Sequence, residues 1–250
     1  MFNRISKTYD LINRVLSFGI DRRWRKISAN IVADYLQKKL HSNNVNKEFS
    51  LLDVATGTGD FLFAILNKLK NLKKWRGNAL KITAIDIEEH MLCLAREKMK
   101  KRERRCVYLH GLCTDVDFQH ADAINVNYPD NNFDVITSAF GVRNFYDLET
   151  GLANVHRMLK KEGLLVILEF SAEEINLLLK PFFIPYLKFV VPILGGIISR
   201  DFKAYDYLNE SARAFPSGER FKKILCGVGF SKIKILPLTF GLVTIYIGHK

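Results

Sequence analysis

The chain is predicted to fold as a single α/β domain, a doubly wound and mostly parallel sheet with helices on both faces. Three observations predict it. Short apolar runs alternate with stretches of helical periodicity, the first run breaks at a glycine-bearing turn, and the last two runs lie close enough to pair. A length of 250 residues suits one such domain.

Residues 1–40 read as an N-terminal helical cap, because Ile27, Ile31, Val32, Tyr35 and Leu36 recur at helical spacing. A polar loop from His41 to Glu48 precedes a strand at Phe49–Val54, and a helix follows over Phe61–Leu72. After a polar insertion at 73–79 come a second strand, Ile82–Ile87, and a helix from Glu88 to about Lys101. The third strand is placed at Val107–Leu109 and the fourth at Asp134–Ser138. A helix over Asp147–Leu159 leads into the strongly apolar fifth strand, Leu164–Phe170. Residues 172–215 read as a helical lid inserted into the domain. A last helix, Phe221–Val228, is followed by a closing hairpin-like pair, Lys232–Leu236 and Leu242–Ile247.

Composition narrows the class. With 48% hydrophobic and 26% charged residues the chain is globular rather than disordered. The net charge of +12 fits an anionic partner, nucleic acid or a phospholipid surface, and fits equally a face of solvated lysines. Cys93, Cys106, Cys113 and Cys226 form no CxxC pair, which points to a reducing compartment. His110 and Cys113 are two ligands where zinc needs four, so no metal is expected. The N-terminus lacks the apolar core of a signal peptide. Arg4, Lys7 and Arg14 suit a transit peptide, but Asp10 and Asp21 interrupt the acid-poor stretch. Residues 181–198 are nearly all apolar, yet three prolines, Lys188 and Gly195-Gly196 argue for a buried or interfacial helix pair over a membrane span.

The chemistry concentrates at the end of the first strand, in Asp53-Val54-Ala55-Thr56-Gly57-Thr58-Gly59-Asp60. Gly57 and Gly59 lack a Cβ and let a ligand approach the backbone. A dinucleotide fingerprint needs a third glycine where Leu62 stands. The flanking acids Asp53 and Asp60 would repel a pyrophosphate and attract an ammonium or sulfonium, which favours S-adenosylmethionine over NAD. Asp86, at the end of the second strand, is placed to accept hydrogen bonds from both ribose hydroxyls, and also suits an N-cap for the helix after it. Asp122 and Ala123 are candidates for the adenine edge.

These residues resemble the class I methyltransferases, and more narrowly the menaquinone/ubiquinone biosynthesis C-methyltransferases. The broad resemblance rests on LLDVATGTGD (51–60), Asp86 and YPDNNFD (128–134). The narrow one rests on YDLINRVLSFGIDRRWR (9–25), FGVRN (140–144), LEFS (168–171), AYDYLNES with the later FP (204–211, 215–216) and LTFGLVTIYIGHK (238–250). It covers essentially the whole chain. It implies a Rossmann-like methyltransferase sheet, with Thr58, Asp86, Asp122 and Ala123 as S-adenosylmethionine contacts. The chain departs from the pattern in Lys160-Lys161-Glu162-Gly163, in the Ala-Glu after LEFS, and in Ala139 where some relatives have serine.

A quinol ring carbon becomes nucleophilic once the neighbouring hydroxyl loses its proton. Arg143 is the candidate to stabilise that oxyanion, against the alternative of an ion pair with an acid such as Asp147. Asn144 is its polar neighbour, and Tyr9 and Asp10 are candidates to close over the site. Expected partners are a prenylated quinol, a membrane surface or quinone-synthesis complex, and a second copy in a homodimer; nucleic acid is not expected. Apolar residues 176–200 suit the prenyl tail, and Arg22-Arg23-Trp24-Arg25-Lys26 suits anionic headgroups. Expected location is peripheral to a membrane, on the cytoplasmic or mitochondrial matrix side. The competing readings are a methyltransferase acting on RNA or protein, an NAD-dependent oxidoreductase and a non-catalytic scaffold.

Overall fold

A computed structural model describes residues 14–15, 17–41, 48–70, 79–105, 113–171, 174–175, 181, 185–186, 193, 207 and 210–250. Seven strands form one sheet in the order β3-β2-β1-β4-β5-β7-β6. They are β1 (Glu48–Val54), β2 (Ala79–Asp86), β3 (Cys113–His120), β4 (Phe133–Ala139), β5 (Leu159–Phe170), β6 (Ser231–Leu238) and β7 (Val243–His249). The first five run parallel, and β7 lies antiparallel between β5 and β6. The chain runs outward from β1 through β2 to β3, then crosses back to place β4 on the other side of β1.

Alternation along the central strands builds two cores. Leu51 and Val135 face one side of the sheet, with Trp24, Leu36 and Leu62. Leu52 and Ile136 face the other, with Leu152, Phe221 and Tyr246. Helices α1 (Asp21–His41) and α2 (Asp60–Lys70) contribute to the first core, and α4 (Leu148–Met158) and α5 (Gly218–Gly227) to the second. Helix α3 (Glu89–Arg105) follows β2 and packs beside β2 and β3. The charges of α2 follow its dipole, with Asp60 in the first turn and Lys68 and Lys70 in the last. Asp147 caps α4, its Oδ1 accepting from the Thr150 N–H at 3.0 Å.

Several expectations change. The third strand is Cys113–His120, and Val107–Leu109 lies outside the described residues. Its residues CTDVDFQH are mostly polar because β3 is an edge strand, so the apolar signal is weak. The N-terminal cap is helical at Arg14 and Val15 and again over Asp21–His41, and between them is a turn in which Phe18 and Gly19 take φ of 51° and 74°. The fifth strand begins earlier, at Leu159, with a register shift against β4 and Glu162 at φ 58°. Most of the 172–215 lid lies outside the described residues. Among the described residues, no helix is long and apolar enough to cross a membrane.

Candidate active site

A cavity opens where β1, β2 and β4 end side by side, at the switch in strand order where ligands of such sheets bind. Its wall takes Asp53 and residues 55–58 from β1 and its turn, and Asp86 and Ile87 from the end of β2. Asp122 and Ala123 come from the segment after β3, and Phe140, Gly141 and Asn144 from the one after β4.

The two turn glycines do different things. Both are left-handed, Gly57 at φ 56° and Gly59 at φ 81°. A Cβ on Gly57 would meet nothing within 4 Å, so that glycine keeps the cavity floor open. A Cβ on Gly59 would lie 2.7 Å from the Phe63 ring, and Gly59 is not part of the cavity wall. Gly59 thus makes room for α2, while Gly57 borders the cavity.

The Asp86 carboxylate, 8% exposed, accepts from the Gly57 N–H at 2.7 Å and from the Glu88 N–H at 2.9 Å. It therefore pins the glycine turn to β2 while it starts the next helix. Burial pushes its carboxyl above the usual range, opposed by those N–H groups. Asp53, 1% exposed, accepts from the Thr56 and Thr137 hydroxyls at 2.7 and 2.6 Å. Burial pushes the Asp53 carboxyl up to about 6 against those two bonds, and the Asp86 charge adds to the rise. No cation enters a described ion pair with either acid.

Asp60 behaves differently. Lys98 Nζ lies 2.7 Å from its carboxylate and 2.8 Å from the Thr58 hydroxyl. Against the burial that would raise it, Lys98, Arg25 and Arg14 hold the Asp60 carboxyl below the ordinary range. The flanking pair of acids is therefore one neutralised acid, Asp60, and one uncompensated acid, Asp53. Asp122 accepts from the Ile124 N–H at 3.0 Å and the Asn125 amide at 2.8 Å, which fixes its turn, and Ala123 is buried beside it.

The residues after β4 divide as well. Asn144 lies on the wall, its Oδ1 accepting from Tyr207 at 3.4 Å. Arg143 does not, since the wall steps from Gly141 to Asn144. Its guanidinium is buried, with Nη1 donating to Glu169 Oε1 at 2.7 Å and to the Phe140 carbonyl at 2.6 Å. The ion-pair alternative for Arg143 holds with a different acid: the partner is Glu169, while Asp147 caps α4, and Arg143 is not among the residues that line the cavity. Tyr9 and Asp10 lie outside the described residues. Trp24 donates to Thr239 at 2.7 Å and is buried, so the Arg22–Lys26 run is no uniform basic face. Arg25 pairs with Asp21, stacks 5.5 Å from the Phe140 ring and joins the wall.

The donor set suits S-adenosylmethionine. Asp86 offers acceptors for ribose hydroxyls, the uncompensated Asp53 and Asp86 favour a positive charge, and Ile87, Met91 and Ile124 give apolar walls for a flat base. Sequence reasoning missed Thr137, Lys98, Arg25 and Glu169. A hint for Thr137 lay in β4, since it stands opposite Asp53 in the parallel register.

Comparison with known proteins shows the family and the fold. The profile of the ubiE/COQ5 methyltransferase family matches residues 1–250. The chain belongs to that family. A demethylmenaquinone methyltransferase of Bacteroides fragilis is 38% identical over 100% of this chain and 91% of its own length. A ubiquinone/menaquinone biosynthesis C-methyltransferase of Geotalea uraniireducens is 37% identical over 100% and 94%. The fold is shared with a solved structure from Methanococcus maripaludis, a putative S-adenosyl-L-methionine-dependent methyltransferase. That structure aligns with a TM-score of 0.59 at 18% identity over 99% of this chain and 93% of its own. The ubiE/COQ5 member described here is an S-adenosylmethionine-dependent enzyme whose activity is C-methylation in quinone biosynthesis.

Proposed function

We propose that the chain methylates a ring carbon of a prenylated quinol, demethylmenaquinol or 2-methoxy-6-polyprenyl-1,4-benzoquinol. The observation that carries this reading is the pair of uncompensated acids, Asp53 and Asp86, set around the open floor at Gly57. It stands in a chain that matches the family from end to end.

In this reading Asp86 holds the ribose, Gly57 and Thr58 line the bed, and Asp122 with Ala123 set the base. Bound there, S-adenosylmethionine supplies an electrophilic methyl group. Asn144 offers an amide to a quinol hydroxyl at the edge of the cavity. Arg143 acts as a positioning residue, tying the Phe140 carbonyl and the start of the 142–144 turn to Glu169. Phe140, over which Arg25 and Trp24 pack, helps to keep water from the ring. The ring's own hydroxyl makes the carbon nucleophilic, so the protein's work is orientation and exclusion of water.

A prenylated substrate places the enzyme at a membrane surface, on the cytoplasmic or matrix side. Phe18, 80% exposed, and the exposed Ile20 beside Arg22 and Arg23 suit such contact. The chemistry is tested by anaerobic incubation with methyl-labelled S-adenosylmethionine and each quinol, followed by mass analysis. Label in a ring methyl of one quinol supports the assignment. Label found on RNA or protein, or on neither quinol, overturns it.

A further inference from the structure

A second cavity, about 520 Å³, lies behind the cofactor site between α1, α2 and α3. Arg14, Arg22, Arg25, Lys26, Lys68 and Arg102 line it, and among the described residues Asp60 is the one carboxylate in its wall. Asp60 is already matched by Lys98, and Arg25 by Asp21. Arg102 turns to a neutral amide, donating to Asn67 at 2.8 Å, and stacks 4.7 Å from the Phe63 ring. Arg14 keeps its buried Nε without a hydrogen-bond partner. No described carboxylate forms an ion pair with Arg14, Arg22, Lys26, Lys68 or Arg102. Five cations thus converge, from three helices and the segment before α1, on one concave space.

Among the described residues these cations share a single carboxylate, Asp60, which is already paired with Lys98, and such an excess of like charge costs free energy unless an anion joins it. On a convex surface water and salt would screen these groups; a concavity with a Phe63 wall screens them less. Arginine forks and a lysine ammonium at several angles match an oxyanion with three or more acceptor oxygens. We infer that this cavity is a binding site for a phosphate-class oxyanion, separate from the bed of the cofactor. The shared chemistry is that of a phosphorylated headgroup or of free phosphate or pyrophosphate. Because Arg25 and Asp60 belong to both cavities, such an anion would sit one side chain away from the cofactor.

Inorganic pyrophosphate is the direct probe, titrated calorimetrically into the wild-type chain, the double variant Lys68→Gln/Arg102→Gln and the control Lys234→Gln. Lys234 is exposed on β6, outside both cavities. Retained binding of S-adenosylhomocysteine by each variant shows that the cofactor site is folded. The expected result is one pyrophosphate site, weakened about tenfold or more in the double variant and unchanged in the control, as losing charge-assisted bonds dictates. Sedimentation with phosphatidylcholine vesicles containing phosphatidylglycerol distinguishes the source. Binding lost in the double variant assigns the phosphate to a lipid; pyrophosphate binding without vesicle binding assigns it to a soluble ligand. Absence of both, or equal weakening in the control, overturns the site and leaves general attraction to a +12 chain. An oligoribonucleotide that binds the wild type while pyrophosphate does not would overturn it in favour of nucleic acid.

Discussion

The Arg143 guanidinium and the Glu169 carboxylate lie 2.7 Å apart, with 1% and 0% of their side chains exposed. Arg143 follows β4 and Glu169 is near the end of β5, so the pair stitches the loop at the cavity mouth to the sheet. Phe170 continues the stitch: Arg143 stacks on its ring at 5.4 Å, and the ring packs 4.8 Å from Phe140.

Breaking that pair strands a buried charge. Glu169→Gln or Arg143→Ala is expected to cost about 3–5 kcal/mol of stability, seen as a lower Tm, and to reduce kcat. Cofactor affinity should stay close to wild type, since neither residue lines the cavity. The pair Arg143→Met/Glu169→Leu should recover stability but not kcat, because the Phe140 carbonyl still lacks its donor. Unchanged turnover in Arg143→Ala would remove the residue from the mechanism.

The two turn glycines should separate folding from binding. Gly59→Ala combines a left-handed backbone with a Cβ set against Phe63, and is expected to lose about 1–3 kcal/mol of stability. Gly57→Ala has open space for its Cβ, so its main effect should be weaker cofactor binding with a smaller shift in Tm. Thermal unfolding and S-adenosylhomocysteine titration on both variants check this. The reverse pattern would contradict the assigned roles.

Asp53 should make both stability and binding depend on pH. Its folded pKa, about 6, lies above the ordinary 3.8, so the folded state holds the proton more tightly than the unfolded one. The stabilisation from that proton is complete below about pH 4 and is lost as pH rises through 6, a change of roughly 3 kcal/mol. Urea unfolding of Asp53→Asn should lack this decline. A cation bound beside Asp53 favours its charged form, so cofactor uptake near pH 6 should release protons. Calorimetry in two buffers of different ionisation enthalpy measures that release, and proton uptake would refute the placement of the charge.

Much of this architecture was legible in the chain itself. Strands β1, β2, β4 and β5 read as compact apolar runs, whereas the sequence CTDVDFQH of edge strand β3 is mostly polar and gives little strand signal. Asp86 was legible because a strand end followed by a helix start leaves few roles for a carboxylate. The partner of Arg143 was not, for Glu169 is 26 residues away and reaches it only through the pairing of β4 with β5. The same holds for Lys98, 40 residues from Thr58, whose amine cancels an acid that spacing alone left bare. Local spacing identifies groups that act with their chain neighbours, while charge compensation across elements is written in the packing.

The claim on which the rest depends is that Asp86 holds both the glycine turn and the cofactor. Its most direct test is calorimetric titration of S-adenosylhomocysteine into the wild type and Asp86→Asn. The account predicts one site per chain in the wild type, weakened about a hundredfold in the variant, as loss of two charge-assisted acceptor contacts would give. No binding to the wild type, or equal affinity in the variant, would contradict it.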